Sequence, residues 1–463
     1  MRTFKQGNGL RTISRLAMLG ALALPLSGCD TDEILRVDDP EVATPGSLED
    51  PAALPLLVNG VIGDFQIAYS GSGGDAYLSM VSLLSDEFID SETFPTRIAI
   101  DSRNFQPNAQ GNTSDGSFER LQRARRAAKD AAVSVAKVAG ADDPRIALLK
   151  GLEGYTYVAL VEAFCSPIPF SNVVEGERQT GAPISRDAAL DTAIAKFDAA
   201  LAVNPSSNLA MVGKGRALLN KGEYAAAAAA VASVPTEYVY LIEHSANSDR
   251  QYNPLYGLQS NGRYSMSDNE GINGLLYRAS ADPRLPWIHD GDGFDGATPL
   301  YIDLRYPTRD SDVPLGGGIE ARLIEAEAAL QAGDYPTWLS KLNELRADVG
   351  TLMAARFEGY DGFVPGPNNP TTTLAPLTDP GTQQARVDLM FKERAFWLYT
   401  TGHRLGDMRR LIRQYGRTED EVFPTGEYHK SGLDYGNDVA FPIPFDEQNN
   451  TDYDFSTCDT EVA

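Results

Sequence analysis

A mainly α fold, built of helix hairpins and broken by one large irregular region, is predicted by three features of the sequence. Apolar residues recur at 3–4 spacing along most of the chain, as amphipathic helices require. A helix–Gly–x–Tyr–helix pattern occurs twice, Leu218-Leu219-Asn220-Lys221-Gly222-Glu223-Tyr224 matching Ala329-Leu330-Gln331-Ala332-Gly333-Asp334-Tyr335 without a gap. Residues 238–318, by contrast, are rich in Gly, Asp, Asn, Tyr and Pro and follow neither the helical nor the strand period.

The chain begins with Arg2, Lys5, Arg11 and Arg15, uncompensated by acid, and then the apolar run Leu16–Leu26. A basic start, a short apolar run and small residues at a cut site form an export signal, here residues 1–28. The run is too short to span a hydrocarbon core of ~30 Å. Leu26-Ser27-Gly28-Cys29 resembles the lipobox of bacterial lipoproteins, which implies acylation of the Cys29 thiol and a mature chain starting there. Asp30-Thr31-Asp32-Glu33 and Asp38-Asp39-Pro40 make residues 29–49 an acidic, solvated tether. No later segment approaches 18 consecutive apolar residues, so lipid is the expected membrane anchor.

Residues 50–463 read as one domain. Asp50-Pro51 suits a helix start, followed by Leu54, Leu57, Val58, Val61, Ile62 and Phe65 at helical spacing. Helical pattern returns over 77–88, and 104–117 is a polar Gly/Asn/Ser loop. Helices are expected over 118–138 and 144–164, then 187–202, 208–220 and 224–233. After the irregular region, read as loops with a few short strands, they resume at 319–331, 336–348, 385–401 and 403–414. A Pro/Asn/Thr-rich loop covers 362–381, and the tail from Phe441 is Pro-punctuated coil. In the repeated motif Gly ends one helix and Tyr begins the next while packing back on the first. This is similar to the tetratricopeptide hairpin, with about four interrupted hairpins.

Composition sets limits on function. The 463 residues are 42% apolar, ordinary for a protein with a real core. The formal charge is −24, and four of the basic residues belong to the export signal. Such a potential repels polyphosphates, and no basic cluster beyond the signal resembles a nucleic-acid footprint. Cys165 and Cys458 remain once Cys29 is assigned. In an exported protein they either pair, fastening the tail to the first third of the chain, or stay separate thiols.

Catalytic chemistry finds little support. Gly291-Asp292-Gly293-Phe294-Asp295-Gly296 fits G-x-G-x-x-G, but no strand-to-helix context surrounds it and its carboxylates would repel a pyrophosphate. Asp290, Asp292 and Asp295 are a weak candidate cage for a structural Ca²⁺, lacking the later bidentate Glu of an EF-hand. His244, His289, His403 and His429 show no metal-ligand spacing. Carboxylate pairs abound among 64 acidic residues, so their presence is no evidence of hydrolysis. No enzyme activity and no resident cofactor are expected.

The stretch Phe391-Lys392-Glu393-Arg394-Ala395-Phe396-Trp397-Leu398-Tyr399-Thr400-Thr401-Gly402-His403-Arg404-Leu405-Gly406-Asp407-Met408-Arg409-Arg410 resembles the Glu-Arg…Glu-Gly-His-Arg-Trp-x-Asp-Leu-Arg-Arg segment of SusD/RagB-like outer-membrane nutrient-binding lipoproteins. Ser85-Asp86-Glu87, Phe164–Phe170, Asp282-Pro283-Arg284, Glu320–Ala328 and Phe441-Pro442-Ile443-Pro444 agree with that family in order along the chain. Thr401 stands where the family has an acidic residue and Leu405 where it has Trp. The charged residues of the segment read as scaffold held by i,i+3 and i,i+4 pairs. The resemblance implies a lipid-anchored lid, facing outward on a SusC-like TonB-dependent outer-membrane barrel, that captures an oligosaccharide, with a peptide as the alternative ligand. A tetratricopeptide scaffold for outer-membrane assembly and a surface glycoside hydrolase are the competing classes. For a binder, aromatic rings in irregular polar segments carry the information, because a flat ring offers apolar area at little entropy cost. They are Tyr252, Tyr256, Tyr264, Trp287 and Phe294, among Asn253, Asn261, Arg263, Asp268 and Asn269, joined by Tyr69 and Tyr77 beside the Gly71–Gly74 loop.

Overall fold

The computed structural model describes residues 50–71, 76–105, 113–174, 177–357, 373–430 and 432–463. The export signal, the Cys29 lipidation site, the acidic tether, most of the Gly71–Gly74 loop and residues 362–372 of the Pro/Asn/Thr-rich loop lie outside them. Asp50 accepts a hydrogen bond from the Ala52 N–H at 2.8 Å, and Pro51–Ala53 form a 3₁₀ turn leading into α1 (Leu54–Ser70). Residues 51–70 are long and apolar enough, by length and composition, to cross a membrane. Leu54, Val58, Val61 and Phe65, however, bury one face of α1 in the protein core. α2 (Tyr77–Leu84) is wholly buried. It stops earlier than its apolar pattern suggests, because Ser85 turns extended and feeds β1 (Phe88–Asp90). α3 (Pro95–Asp101) follows.

α4 (Thr113–Ala139) begins inside the stretch expected to be loop, and pairs with α5 (Arg145–Ala163). Two small antiparallel ladders come next. β2 (Ile168–Pro169) pairs with β5 (Pro183–Ile184), and β3 (Asn172–Val174) with β4 (Glu177–Gln179). α6 (Arg186–Val203), α7 (Asn208–Asn220) and α8 (Tyr224–Val231) continue the helical series. Each helix packs on the next from α4 to α8. Phe197 of α6 fills a notch between α5 and α7. A Cβ on Gly154 or Gly213 would lie 2.7 or 2.4 Å from its ring, so glycine at both is a packing requirement.

The irregular region holds β6 (Val239–Ile242), α9 (Pro254–Ser260), β7 (Tyr264–Met266), β8 (Trp287–Asp292), β9 (Pro299–Asp303) and β10 (Val313–Gly317). Its strands pair in twos, all antiparallel: β1 with β7, β6 with β10 and β8 with β9. Helices then return as α10 (Gly318–Gln331), α11 (Tyr335–Ala347), α12 (Val349–Arg356), α13 (Gln383–Trp397), α14 (Arg404–Tyr415) and the single turn α15 (Glu419–Val422). α8 packs on α10 and α10 on α11, completing a mainly α scaffold of tetratricopeptide-like hairpins.

Both copies of the repeated motif close with the same hydrogen bonds. Gly222 and Gly333 have φ of +77° and +75°. The Glu223 and Asp334 N–H groups donate to Leu218 and Ala329, both at 2.9 Å, and the Gly222 and Gly333 N–H groups donate to Leu219 and Leu330. That pattern is the Schellman cap, which satisfies carbonyls a helix end leaves open.

The charged residues around α13 and α14 reach across the molecule instead of along their own helices. Arg404 grips Asp86 at 2.6 and 2.8 Å. Glu393 holds Arg284 and Arg346, Arg410 reaches Glu327, and His403 lies 3.1 Å from Glu320. Arg394 and Arg410 meet on Asp407, the Arg410 contact being an i,i+3 pair. Expected helical-spacing pairs thus give way to buried long-range ones. A guanidinium out of water needs full partners, and one helix surface cannot supply them. Cys165 and Cys458 form a disulfide with Cα atoms 5.3 Å apart. The Phe441 N–H donates to Ala163 and the Cys165 N–H to the Phe441 carbonyl, so the tail lies on the end of α5.

Candidate ligand-binding surface

Four loops converge at one end of the β8–β9 hairpin. The Phe294 N–H donates to Gly262 at 2.7 Å, the Asp295 N–H to Ser91 at 3.0 Å, and the Gly293 N–H to Thr298 at 2.7 Å. Gly293 is glycine by close approach, since a Cβ there would lie 2.5 Å from that of Ser91. Lys430 brings in the fourth loop through Asp90 and through Asp295 at 3.2 Å. His429 Nε2 hydrogen-bonds to the Asp90 carbonyl at 2.8 Å.

These loops present an aromatic–guanidinium–aromatic stack. The Arg263 guanidinium lies 5.1 Å from the ring centre of Phe94 and 5.1 Å from that of Phe294. Arg97 approaches the Phe94 ring at 5.8 Å. Buried Glu92 pairs with both Arg97 and Arg263, fixing the cation that the rings flank. Phe94 is 49% exposed and Phe294 58%. Large rings at such exposure, stiffened by a cation–π contact on an anchored arginine, make a pre-set platform facing solvent.

A second aromatic group sits on the strands of the same hairpin. Trp287 and Tyr301 meet edge to face with centres 5.4 Å apart, His289 lies 5.0 Å from Tyr301, and Arg278 covers the Tyr301 ring at 3.5 Å. Trp287 and His289 alternate on β8, and His289 is the cross-strand partner of Tyr301, so one face of the hairpin carries all three rings. Trp287 and Tyr301 are half-buried and His289 is exposed.

Three of the residues expected to touch ligand do not face solvent. Tyr69, Tyr77 and Tyr264 are 1%, 0% and 0% exposed. Tyr69 donates to the Thr401 carbonyl at 2.9 Å and Tyr77 to that of Gly402 at 3.0 Å, so both hold the α13–α14 turn. Burial pushes the Tyr69 hydroxyl up to about 12. Tyr264 sits on β7 against Phe88. These three leave the ligand-contact set, the physical reason being that their rings complete the core. Asn253 is also structural, its Oδ1 capping α9 through the Leu255 and Tyr256 N–H groups. Tyr252 and Tyr256 are half-buried, with Arg309 5.6 Å above the Tyr252 ring. Phe94, Arg278 and Tyr301 join the surface without having stood out in the sequence. Ser91-Glu92-Thr93-Phe94-Pro95 reads as an ordinary helix approach, and only the fold brings it to Phe294.

The weak calcium candidate is not assembled. Asp295 Oδ1 accepts from the Ala297 and Thr298 N–H groups at 3.0 and 2.8 Å, and Oδ2 from the Thr298 hydroxyl at 2.7 Å. Burial opposes ionisation of this carboxyl, but those donors and Lys430 outweigh it and lower its pKa to about 2. Its oxygens are committed to the turn. Asp290 and Asp292 are exposed strand residues, and among the described residues no cluster of His, Cys, Asp and Glu could hold a metal ion.

No protein-family model and no curated protein matches the chain. Solved structures do. A laminarin-binding SusD-like protein superposes with a TM-score of 0.58 at 14% identity, over 87% of this chain and 98% of that one. A SusD superfamily protein from Bacteroides vulgatus gives 0.57 at 13%, over 87% and 97%. A SusD-like carbohydrate-binding protein from Bacteroides fragilis gives 0.55 at 14%, over 87% and 98%. The fold is SusD-like along nearly the whole described chain.

Proposed function

We propose that this protein is a cell-surface glycan-binding lipoprotein that serves as the lid of a TonB-dependent outer-membrane barrel and performs no catalysis itself. The observation that carries the reading is the exposed Phe94–Arg263–Phe294 stack, fixed by four converging loops on a SusD-like fold. A sugar ring presents an apolar C–H face and a rim of hydroxyls. Fixed aromatic rings suit the face, and neighbouring charged groups suit the rim. β8 rises roughly 17 Å along its length, so the stack at its turn and the Trp287–Tyr301 pair on its strands suit an extended oligomer better than a single sugar. The laminarin-binding neighbour supports a saccharide ligand over a peptide. Leu26–Cys29, followed by the acidic tether, supports anchoring in the outer membrane with the body facing outward. A tether of that kind permits a lid to swing while staying attached.

The test is calorimetry of the chain lacking residues before Asp30 against neutral oligosaccharides and peptides. The Phe94→Ala/Phe294→Ala variant is expected to bind its saccharide at least tenfold more weakly, with the melting temperature unchanged. Binding of no saccharide, or equal binding by the variant, overturns the assignment of this surface. Recovery of a TonB-dependent barrel with the tagged lipoprotein from solubilised outer membranes tests the partner, and recovery of an assembly barrel instead would sink it.

A further inference from the structure

A cleft between α1 and α4, separate from the aromatic stack, is lined by Asp64, Ile67, Arg120, Arg123 and Arg250. Three arginines and a single carboxylate thus line one cleft in a chain whose formal charge is −24. We propose that this cleft is a subsite for the carboxylate of an acidic oligosaccharide, so that the glycan taken up contains uronic acid units; this rests on the glycan-binding reading above.

The cleft is built from fixed parts. Asp64 and Ile67 are one turn apart on α1, and Arg120 and Arg123 one turn apart on α4, so each helix offers a pair on one face. Arg250 comes from a loop that closes on itself, the Ser245 N–H donating to Gln251 at 2.9 Å and the Gln251 N–H to Ser248 at 3.0 Å. His244 and Gln66 pin that loop to α1. Gln66 Nε2 reaches His244 Nδ1 at 2.9 Å and the Gln251 carbonyl at 3.3 Å, and Ser70 Oγ lies 3.1 Å from His244 Nε2. Burial lowers the pKa of His244 to about 4, so it stays neutral and the pin persists at physiological pH. The loop that carries the exposed Arg250 is therefore tied to α1 by part-buried contacts.

The groups match a sugar acid better than a plain anion. Arginine offers a planar fork of donors that fits a carboxylate. Asp64 can accept from sugar hydroxyls, which sulfate does not offer, and Ile67 supplies apolar contact for a ring face, which neither sulfate nor phosphate has. Arg123 Nε stands 3.8 Å from Asp64 Oδ1, with the arginine side chain 71% exposed. That exposed pair is loose and leaves Arg123 able to turn to a ligand.

The experiment is calorimetry of the chain lacking only its export signal, using oligogalacturonate and oligomannuronate, each beside its fully methyl-esterified form. Esterification removes the charge and keeps the sugars. At least one acid oligomer is expected to bind tenfold or more tightly than its ester, with the gap narrowing as salt rises. In Arg123→Gln/Arg250→Gln, two exposed positions whose change spares the core, the gap should fall to within twofold while ester affinity holds. In Phe294→Ala the gap should survive, even as both affinities drop. Acid and ester binding equally, the gap surviving in the double arginine variant, or a poly-glutamate peptide binding where no uronate does, each overturns the proposal. Neutral saccharides binding without any acid preference would defeat this inference and leave the glycan reading standing. Failure of every saccharide would defeat both.

Discussion

Glu87 shows how one residue ties pH to stability. Its side chain is wholly buried, and Oε1 accepts from the Thr400 N–H at 2.6 Å. Burial raises its pKa to about 8, outweighing the Thr400 N–H and the nearby Arg305. The folded chain therefore keeps a proton that the unfolded chain releases near its ordinary value of about 4.3. This contribution is complete below that value and is lost as pH rises through about 8. Glu87→Gln keeps the acceptor and removes the titration. Denaturant unfolding at several values between about pH 5 and 8 should show a shallower fall in stability for the variant. A residual slope is expected from Asp90, raised to about 7 mainly by burial, and an unchanged slope would refute the assignment. Glu87 was legible in the sequence only as part of Ser85-Asp86-Glu87. Its partner, the Thr400 backbone, lies 313 positions away, and no local pattern reports such a contact. The aromatic residues repeat the lesson. Tyr69, Tyr77 and Phe294 all sit beside Gly-rich sequence, yet two lock a buried turn and one faces solvent. Burial is decided by what packs on a ring, and that is long-range information.

At the scale of elements the repeated helix hairpins were the most legible part, because their cap is local chemistry. Gly333 has φ of +75° and open space around the site of a Cβ. Gly333→Ala should therefore cost about 1 kcal/mol through backbone strain alone. Gly333→Asn should cost less, since Asn tolerates the left-handed region. Urea midpoints for the two variants check the order, and Ala equal to wild type would show that the cap is not strained. Helices α7 and α10 matched their expected spans closely for the same reason. Less was legible where tertiary demand overrode pattern. α2 gives way to β1 because Phe88–Asp90 pairs with Met266–Tyr264, and α4 starts within polar sequence. Residues 238–318 were legible as irregular, but not the pairing of β8 with β9 that positions Trp287, Tyr301 and Phe294.

At the scale of the whole molecule the ordered sequence motifs acquire a common cause. Asp86, Arg284, Glu320, Glu327, Glu393, Arg404 and Arg410 form buried pairs that join distant segments across the core, so the motifs are spaced along the chain because the fold draws them together. The disulfide closes this arrangement at the C-terminus, linking positions separated by 293 residues. A cross-link that long restricts the unfolded chain strongly and should stabilise the native state by about 3–5 kcal/mol. For a domain of this size that corresponds to a melting temperature lowered by roughly 3–6 °C when the bond is lost. Reduction with a thiol reagent and Cys458→Ser should give similar shifts. The tail keeps its backbone contacts in both cases, with Val439 and Ala440 donating to Thr460 and Phe441 donating to Ala163. Folding should therefore remain cooperative, and under the proposed function saccharide affinity should hold, because the Phe94–Arg263–Phe294 surface belongs to other loops. A melting temperature indifferent to reduction, with thiol titration showing both sulfurs free, would mean that those backbone contacts alone secure the tail. A matching loss of ligand affinity would mean instead that the tail shapes the binding surface from a distance.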